Sequence, residues 1–248
     1  RIVAGGTTYF LRVNEGKSED DVAYEALLVA KLAREGVPTP APLFARAGSL
    51  AYVPFGTKWV SVFPWRGGHH LLEPGSEIAG KLGAALARLH VAGLAAPTGW
   101  RRASIYDHAH LVERFESFEH STDPALAHAI SILHEELTYA AAVAPTRKDA
   151  TQGIIHGDLF RDNVLWANDE ITAILDFEQA SGGSLAYDVA VCLNDWCWTG
   201  QPRLDLAKAL LDGYQSIRRL PDVDRRALLI EVRAAAVRFT ITRITDVY

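Results

Sequence analysis

Methionine is absent from the 248 residues, cysteine occurs only twice, and no apolar run is long enough to cross a bilayer. Each absence narrows the reading. A natural chain of this size that opens on Arg1 and lacks methionine is expected to be part of a longer gene product. Cys192 and Cys197 match neither a Cys-x-x-Cys redox pair nor a zinc-ligand pair. They read as free thiols in a reduced compartment. A spanning helix needs about 20 apolar residues, and no signal-peptide pattern opens the chain, so a cytoplasmic protein is expected. A basic excess is missing too. Lys and Arg number 25 against 30 Asp and Glu, for a net charge of −5, which argues against nucleic acid as a partner. Neither internal repeats nor low-complexity tracts occur.

The remainder is ordinary for a globular protein, with 49% hydrophobic and 22% charged residues. Arg1–Ala4, Gly5-Gly6 and Thr7–Val13 read as a β-hairpin, because paired glycines between β-rich runs mark a tight turn. Asp20–Glu35 has helical spacing and stops at Gly36. Three prolines in Val37–Pro42 exclude helix there. Short β-like runs follow at Leu43–Arg46, Leu50–Val53 and Lys58–Phe63. Beyond Trp65–Gly68 helical patterns dominate: Ser76–Val91 with Ser76 as N-cap, Pro124–Val143, Asp205–Arg218, and Asp222 to near the end. A β-rich island, Gly153–Asp176, interrupts them. The expectation is an α+β fold in two parts, a small antiparallel β-sheet lobe over residues 1–64 and a larger, mainly helical lobe over 65–248.

The island carries the chemistry. It reads His156-Gly-Asp158-Leu-Phe-Arg-Asp-Asn163, then a strand, a polar turn, a second strand and Asp176-Phe-Glu178. With the turn centred on Asp169-Glu170, antiparallel pairing sets Asn163 directly opposite Asp176, with Cβ atoms about 5 Å apart. Their oxygens can then share a hard cation such as Mg²⁺. Asp158, five residues before Asn163, faces the same space. Phosphoryl transfer needs such a set: a carboxylate to take the proton of the attacking hydroxyl, and an Asn and an Asp to hold metal on the phosphates. Protein kinases use His-Arg-Asp-x-x-x-x-Asn followed by Asp-Phe-Gly; here Gly157 replaces the Arg and Glu178 the last Gly. A polar surface hairpin with incidental acids is the competing reading. Gly75–Leu82 imitates a phosphate-binding loop, but Leu82 cannot ligate magnesium and no strand precedes it. His69, His70, His108, His110 and His120 lack partners at metal spacing.

The loop His156–Asn163 with Asp176 resembles the aminoglycoside-phosphotransferase and choline-kinase superfamily, which has the protein-kinase-like two-lobe fold. Leu185–Trp198, Gly36–Pro42, Leu86–Gly93 and Arg238–Arg243 are similar to the homoserine kinases of that superfamily, so the resemblance covers nearly the whole chain. It implies ATP and Mg²⁺ as cofactors, Asp158 as base, Asn163 and Asp176 as metal ligands, and His156 and Asp188 as structural residues at the site. It also implies adenine contacts through the backbone near Ser61, Val62 and Phe63, and a phosphate-holding ion pair between Glu25 and a strand cation. That cation would be Arg12, where kinases carry Lys; a surface Arg12 in a solvent ion pair is the alternative. The family's phosphate-covering strand-loop-strand would lie before Arg1.

A small-molecule substrate is expected. For L-homoserine, Asp195 is the candidate ammonium partner, seven residues after Asp188 and about 10 Å along a helix. Arg243 is the candidate carboxylate partner, with Arg238 beside it; each can equally be part of a structural ion pair. The competing functions are a kinase for choline, ethanolamine, methylthioribose or an aminoglycoside, and a catalytically inactive kinase-like binding module. Arginines on the last helix favour an acceptor bearing a carboxylate over a polycation. Oligomeric state has no signature in the sequence.

Overall fold

The N-terminal sheet grows from the hairpin at Gly5-Gly6, where both residues adopt positive φ, 56° and 77°. A computed structural model of the chain describes residues 1–46 and 50–247. Strands β1 (Ile2–Ala4), β2 (Thr7–Asn14), β3 (Val53–Phe55) and β4 (Lys58–Pro64) form an antiparallel sheet in the order β1-β2-β4-β3. Helix α1 (Glu19–Arg34) follows β2. It starts on a capping box between Ser18 and Asp21 and is acidic in its first turn and basic in its last, which suits the helix dipole. Leu43–Arg46 and Leu50–Tyr52 are not strands. Leu43 instead donates one backbone hydrogen bond, to Val62 O at 2.8 Å, and Ala45 donates one to Leu50 O.

The larger part is helical: α2 (Ser76–Leu94), α3 (His108–Glu116), α4 (Pro124–Ala142), α5 (Ala144–Asp149), α6 (Leu185–Trp196), α7 (Leu204–Gln215) and α8 (Asp222–Val247). Gly75, not Ser76, is the N-cap of α2, and it makes no side-chain cap bond. α2 and α7 cross with backbones nearly touching: a Cβ on Gly83 would lie 2.0 Å from Leu210 O. Two small antiparallel ribbons sit among the helices: β5 (Gln152–Ile155) with β8 (Ser181–Ser184), and β6 (Val164–Ala167) with β7 (Glu170–Ile174). One apolar core joins the two parts, with Leu28, Val29 and Leu32 of α1 in the same cluster as Leu82, Leu86, Trp166 and Ile174. The proline segment docks on it through Pro38 O, which accepts from Ile174 N at 2.6 Å.

Candidate active site

The loop after β5 is held from beneath by a buried carboxylate. Asp188, on α6, accepts from the backbone N–H of His156 at 2.6 Å and of Gly157 at 2.7 Å. His90 of α2 bonds the same carboxylate at 3.1 Å, and the His90 ring reaches Tyr214 Oη at 2.8 Å. Burial alone would raise the Asp188 pKa, but the His90 bond, the His90 and His156 rings and the Gly157 N–H outweigh it and lower it. Gly157 has φ +80°, and a Cβ there would sit 3.2 Å from Gln179 O, so the turn needs glycine. His156 Nε2 lies 2.8 Å from Leu175 O while Nδ1 accepts from Asp158 N at 3.2 Å, which puts the ring proton on Nε2.

Asp158 emerges from this clamp partly exposed. Its Oδ1 accepts from Arg238 Nη1 at 3.1 Å, and Arg238 also donates to Gly157 O at 3.2 Å. Arg238 is buried between the rings of Tyr106 and Phe239, at 4.2 and 3.9 Å from their centroids. Asn163 Nδ2 donates to Asp158 O at 2.7 Å and lies 3.5 Å from Asp158 Oδ2. This bond leaves the Asn163 amide oxygen without a hydrogen-bond partner among the described residues.

The hairpin register differs from the sequence expectation by one residue. Val164 pairs with Ile174, and Leu175 N donates to Asn163 O at 2.8 Å, so Asn163 faces Leu175 rather than Asp176. The turn is Asn168-Asp169, both at positive φ, and a bulge on the β7 side absorbs the extra residue. Asp176 then adopts the left-handed conformation, φ 60° and ψ 67°. Its carboxylate accepts no hydrogen bond from a described residue; the nearest cation is Arg12 Nη2 at 4.0 Å. Burial first, then the neighbouring Glu178, push the Asp176 pKa up against the pull of Arg12. Asn163 and Asp176 line one cleft of about 530 Å³. Two free oxygen donors suit a hard cation whose other ligands are water and phosphate. Among the described residues no three His, Cys, Asp or Glu cluster as a protein-only metal cage.

Asp176→Asn is expected to raise the melting temperature of the free protein at neutral pH, because Asn tolerates left-handed backbone and carries no charge to desolvate. The sign follows from linkage. Above the raised folded pKa the wild-type protein keeps an ionised carboxylate in an unfavourable place. Below the unfolded value both states are protonated, so the difference should fade as pH falls through that window. Thermal melts of both proteins across pH 3–8 check this.

The cleft's far wall is an ion cluster. Arg12 on β2 bonds Glu25 of α1 at 2.6 Å and Glu178 at 3.1 Å; Lys17 bonds the same two carboxylates at 3.2 and 2.8 Å. Lys17 carries no signal in the sequence, because its loop has no periodicity. Phe63, Pro64, Trp65 and Arg66 line the cleft, but Ser61 and Val62 do not. Ser61 is buried against Asn14 Nδ2 at 3.3 Å, and Val62 O is taken by Leu43 N. Of the stretch 61–63 expected to face the cofactor, only Phe63 lines this cleft.

Asp195 and Arg243 lie near Phe160 and the loop. Asp195 is engaged structurally: its Oδ2 accepts from Arg161 N at 2.9 Å, with Arg161 Nε at 3.7 Å. Arg161 also donates to the backbone oxygens of Asp195 and Trp198. Burial, the leading cause, raises the Asp195 pKa against the pull of Arg161 and Arg243. Arg243 is exposed, lies 5.8 Å from the Phe160 ring centroid and makes no ion pair with a described residue.

Known proteins resemble this chain in sequence and fold. The model of the phosphotransferase enzyme family matches residues 1–220. The chain belongs to that family. A curated relative from Bradyrhizobium sp., named homoserine kinase, is 32% identical over 96% of this chain and 73% of its own length. One from Rhodospirillum rubrum with the same name is 36% identical over 97% of this chain and 73% of its length. Among solved structures, an amicoumacin kinase in complex with AMP-PNP, Ca²⁺ and Ami superposes with a TM-score of 0.78 at 17% identity, covering 98% of this chain and 76% of that one. The fold is thus the kinase-like one, with a small antiparallel sheet part and a larger helical part. The chain is a phosphotransferase of the class that uses a hydroxyl acceptor.

Proposed function

We propose that this protein transfers the terminal phosphoryl group of ATP to the hydroxyl of L-homoserine, giving O-phospho-L-homoserine on the way to threonine, with Mg²⁺ and in the cytoplasm. The observation carrying the reading is the single clamped carboxylate, Asp158, set beside Asn163 and Asp176 with their oxygens unpartnered. Homoserine kinase relatives at 32% and 36% identity supply the acceptor.

In this reading Asp158 accepts the hydroxyl proton at Oδ2 while Arg238 holds Oδ1, so one oxygen is oriented and the other meets only the long 3.5 Å contact from Asn163 Nδ2. Asn163 and Asp176 would hold Mg²⁺, which would supply positive charge to the phosphates. Arg12 and Lys17, poised on Glu25 and Glu178, are the phosphate-binding cations; on binding each exchanges a carboxylate partner for phosphate oxygen. Adenine lies against Phe63 to Arg66. The amino-acid end of homoserine sits by Trp198, its carboxylate on the free guanidinium of Arg243 and its ammonium on the remaining oxygen of Asp195. The division between residues 64 and 65 is the lobe boundary, next to that adenine-facing stretch.

The test is ADP release with MgATP against L-homoserine, choline, ethanolamine, methylthioribose and kanamycin. Turnover is expected with homoserine, and Arg243→Ala should raise its KM about 10-fold or more, as loss of a charge-assisted hydrogen bond does. Preferred turnover of another acceptor would discard homoserine and keep the phosphotransferase. An unchanged KM would remove Arg243 from the pocket.

A further inference from the structure

We propose that a second small-molecule site lies behind the catalytic loop, takes a compact zwitterion such as a short amino acid, and is linked to Asp158 through Arg238. The site is a cavity of about 320 Å³ bounded by α3, α4, α5 and α8 on one side and by β5 and β8 on the other. Its size falls in the range of small-ligand pockets.

Unpartnered polar atoms concentrate there. Eight buried side-chain polar atoms among the described residues have no hydrogen-bond partner, and four belong to lining residues: Ser181 Oγ, Ser184 Oγ, Glu231 Oε1 and Arg238 Nε. All four residues are more than nine-tenths buried, at 2%, 8%, 0% and 4% exposure. Buried polar groups nearly always find a partner, so four around one cavity point to a ligand that supplies them.

The chemistry of the four atoms defines that ligand. Glu231 Oε2 already takes Arg147 Nε at 3.1 Å and Nη2 at 2.9 Å, so Oε1 is left to accept from an ammonium or hydroxyl. Arg238 Nε is a donor in want of a carboxylate. The two serine hydroxyls serve either role. Four Lys and Arg side chains and His108 line the cavity against three carboxylates, and Arg233 is already held by both oxygens of Glu136 at 2.9 and 2.8 Å. With the cations largely paired, the cavity fits a net-neutral molecule better than a phosphate. Leu137, Ile155 and Val237 leave it only a short aliphatic body.

The place is distinct from the proposed acceptor pocket. On α8, Glu231 lies seven residues before Arg238 and Arg243 five after, roughly 10 Å and 7 Å in opposite directions along the axis. Arg238 stands between, its Nε unpartnered and its Nη1 on Asp158 Oδ1. A ligand that draws the guanidinium alters how Asp158 is held.

Calorimetry tests the proposal on protein saturated with AMP-PNP, Mg²⁺ and L-homoserine, titrated separately with β-alanine, γ-aminobutyrate and L-serine. One-to-one binding of at least one probe is expected, with a changed kcat at unchanged homoserine KM. Ser181→Ala removes a hydroxyl that has no protein partner, so the fold should stand, and binding should weaken about threefold to tenfold, the worth of one hydrogen bond. Ala234→Leu should fill the cavity and abolish binding. The proposal is overturned if no probe binds, if a probe and homoserine displace one another, or if both variants bind as wild type does. The same titration on protein with AMP-PNP alone distinguishes failure of this site from failure of the homoserine assignment.

Discussion

Asp158→Asn is expected to lower kcat by about 10²- to 10⁴-fold, the usual worth of a positioned general base, with nucleotide affinity essentially unchanged. The amide is isosteric and its oxygen can still accept from Arg238, so the loop keeps its shape. What disappears is the oxygen that takes the acceptor's proton. Because Asp158 is not among the residues lining the cleft proposed for nucleotide, the loss should appear in kcat. Steady-state kinetics together with a fluorescence titration of nucleotide separate the two quantities. A variant that loses nucleotide binding in proportion to rate would make Asp158 a structural residue.

The second large effect falls on stability. Asp188→Asn should destabilise the protein by about 3–5 kcal/mol, the cost of breaking a buried, fully partnered charge pair. Asp188 accepts from two backbone N–H groups and from His90 with no exposed surface. An amide turns one of those acceptor positions into a donor facing a donor. The network behind it runs on through Tyr214 to Arg218 at 3.0 Å, and from Arg218 to the buried Asp224 at 3.0 Å. Denaturant unfolding of the single variants and of Asp188→Asn with His90→Phe measures the coupling; strict additivity would deny the network. Because the Asp188 pKa is depressed, its stabilisation is present above the unfolded carboxylate value and is lost as pH falls through the folded one.

Elements with local causes are legible in the sequence. The Gly5-Gly6 turn, the frame of α1, and the spacing from Asp158 through Asn163 to Asp176 depend on neighbours a few residues away. What stays hidden depends on distant partners or on a choice between near-equal local options. Asn168, Asp169 and Glu170 offer two turn centres one residue apart, and only the bulge against β6 selects Asn168-Asp169. His90 reads as part of an apolar helix, yet its partner Asp188 is 98 residues away. Arg238 is visible only as one of several arginines on the last helix, and its bond to Asp158 spans 80 residues. The family pattern points to Ser61, Val62 and Phe63 for adenine; of these Phe63 lines the cleft, while Ser61 is held by Asn14 and the Val62 carbonyl by Leu43. The nine-residue α3 shows its helical period only in the single pair Leu111 and Phe115, and the six-residue α5 is too short to show one.

Phosphorus NMR of the protein with MgATP and L-homoserine, run beside Asp158→Asn, tests the central claim most directly. The expected result is a new phosphomonoester signal, split by the adjacent methylene protons, growing as the terminal phosphate of ATP disappears and nearly absent in the variant. No such signal with homoserine, or equal growth in the variant, would contradict the assignment of substrate in the first case and of Asp158 as the base in the second.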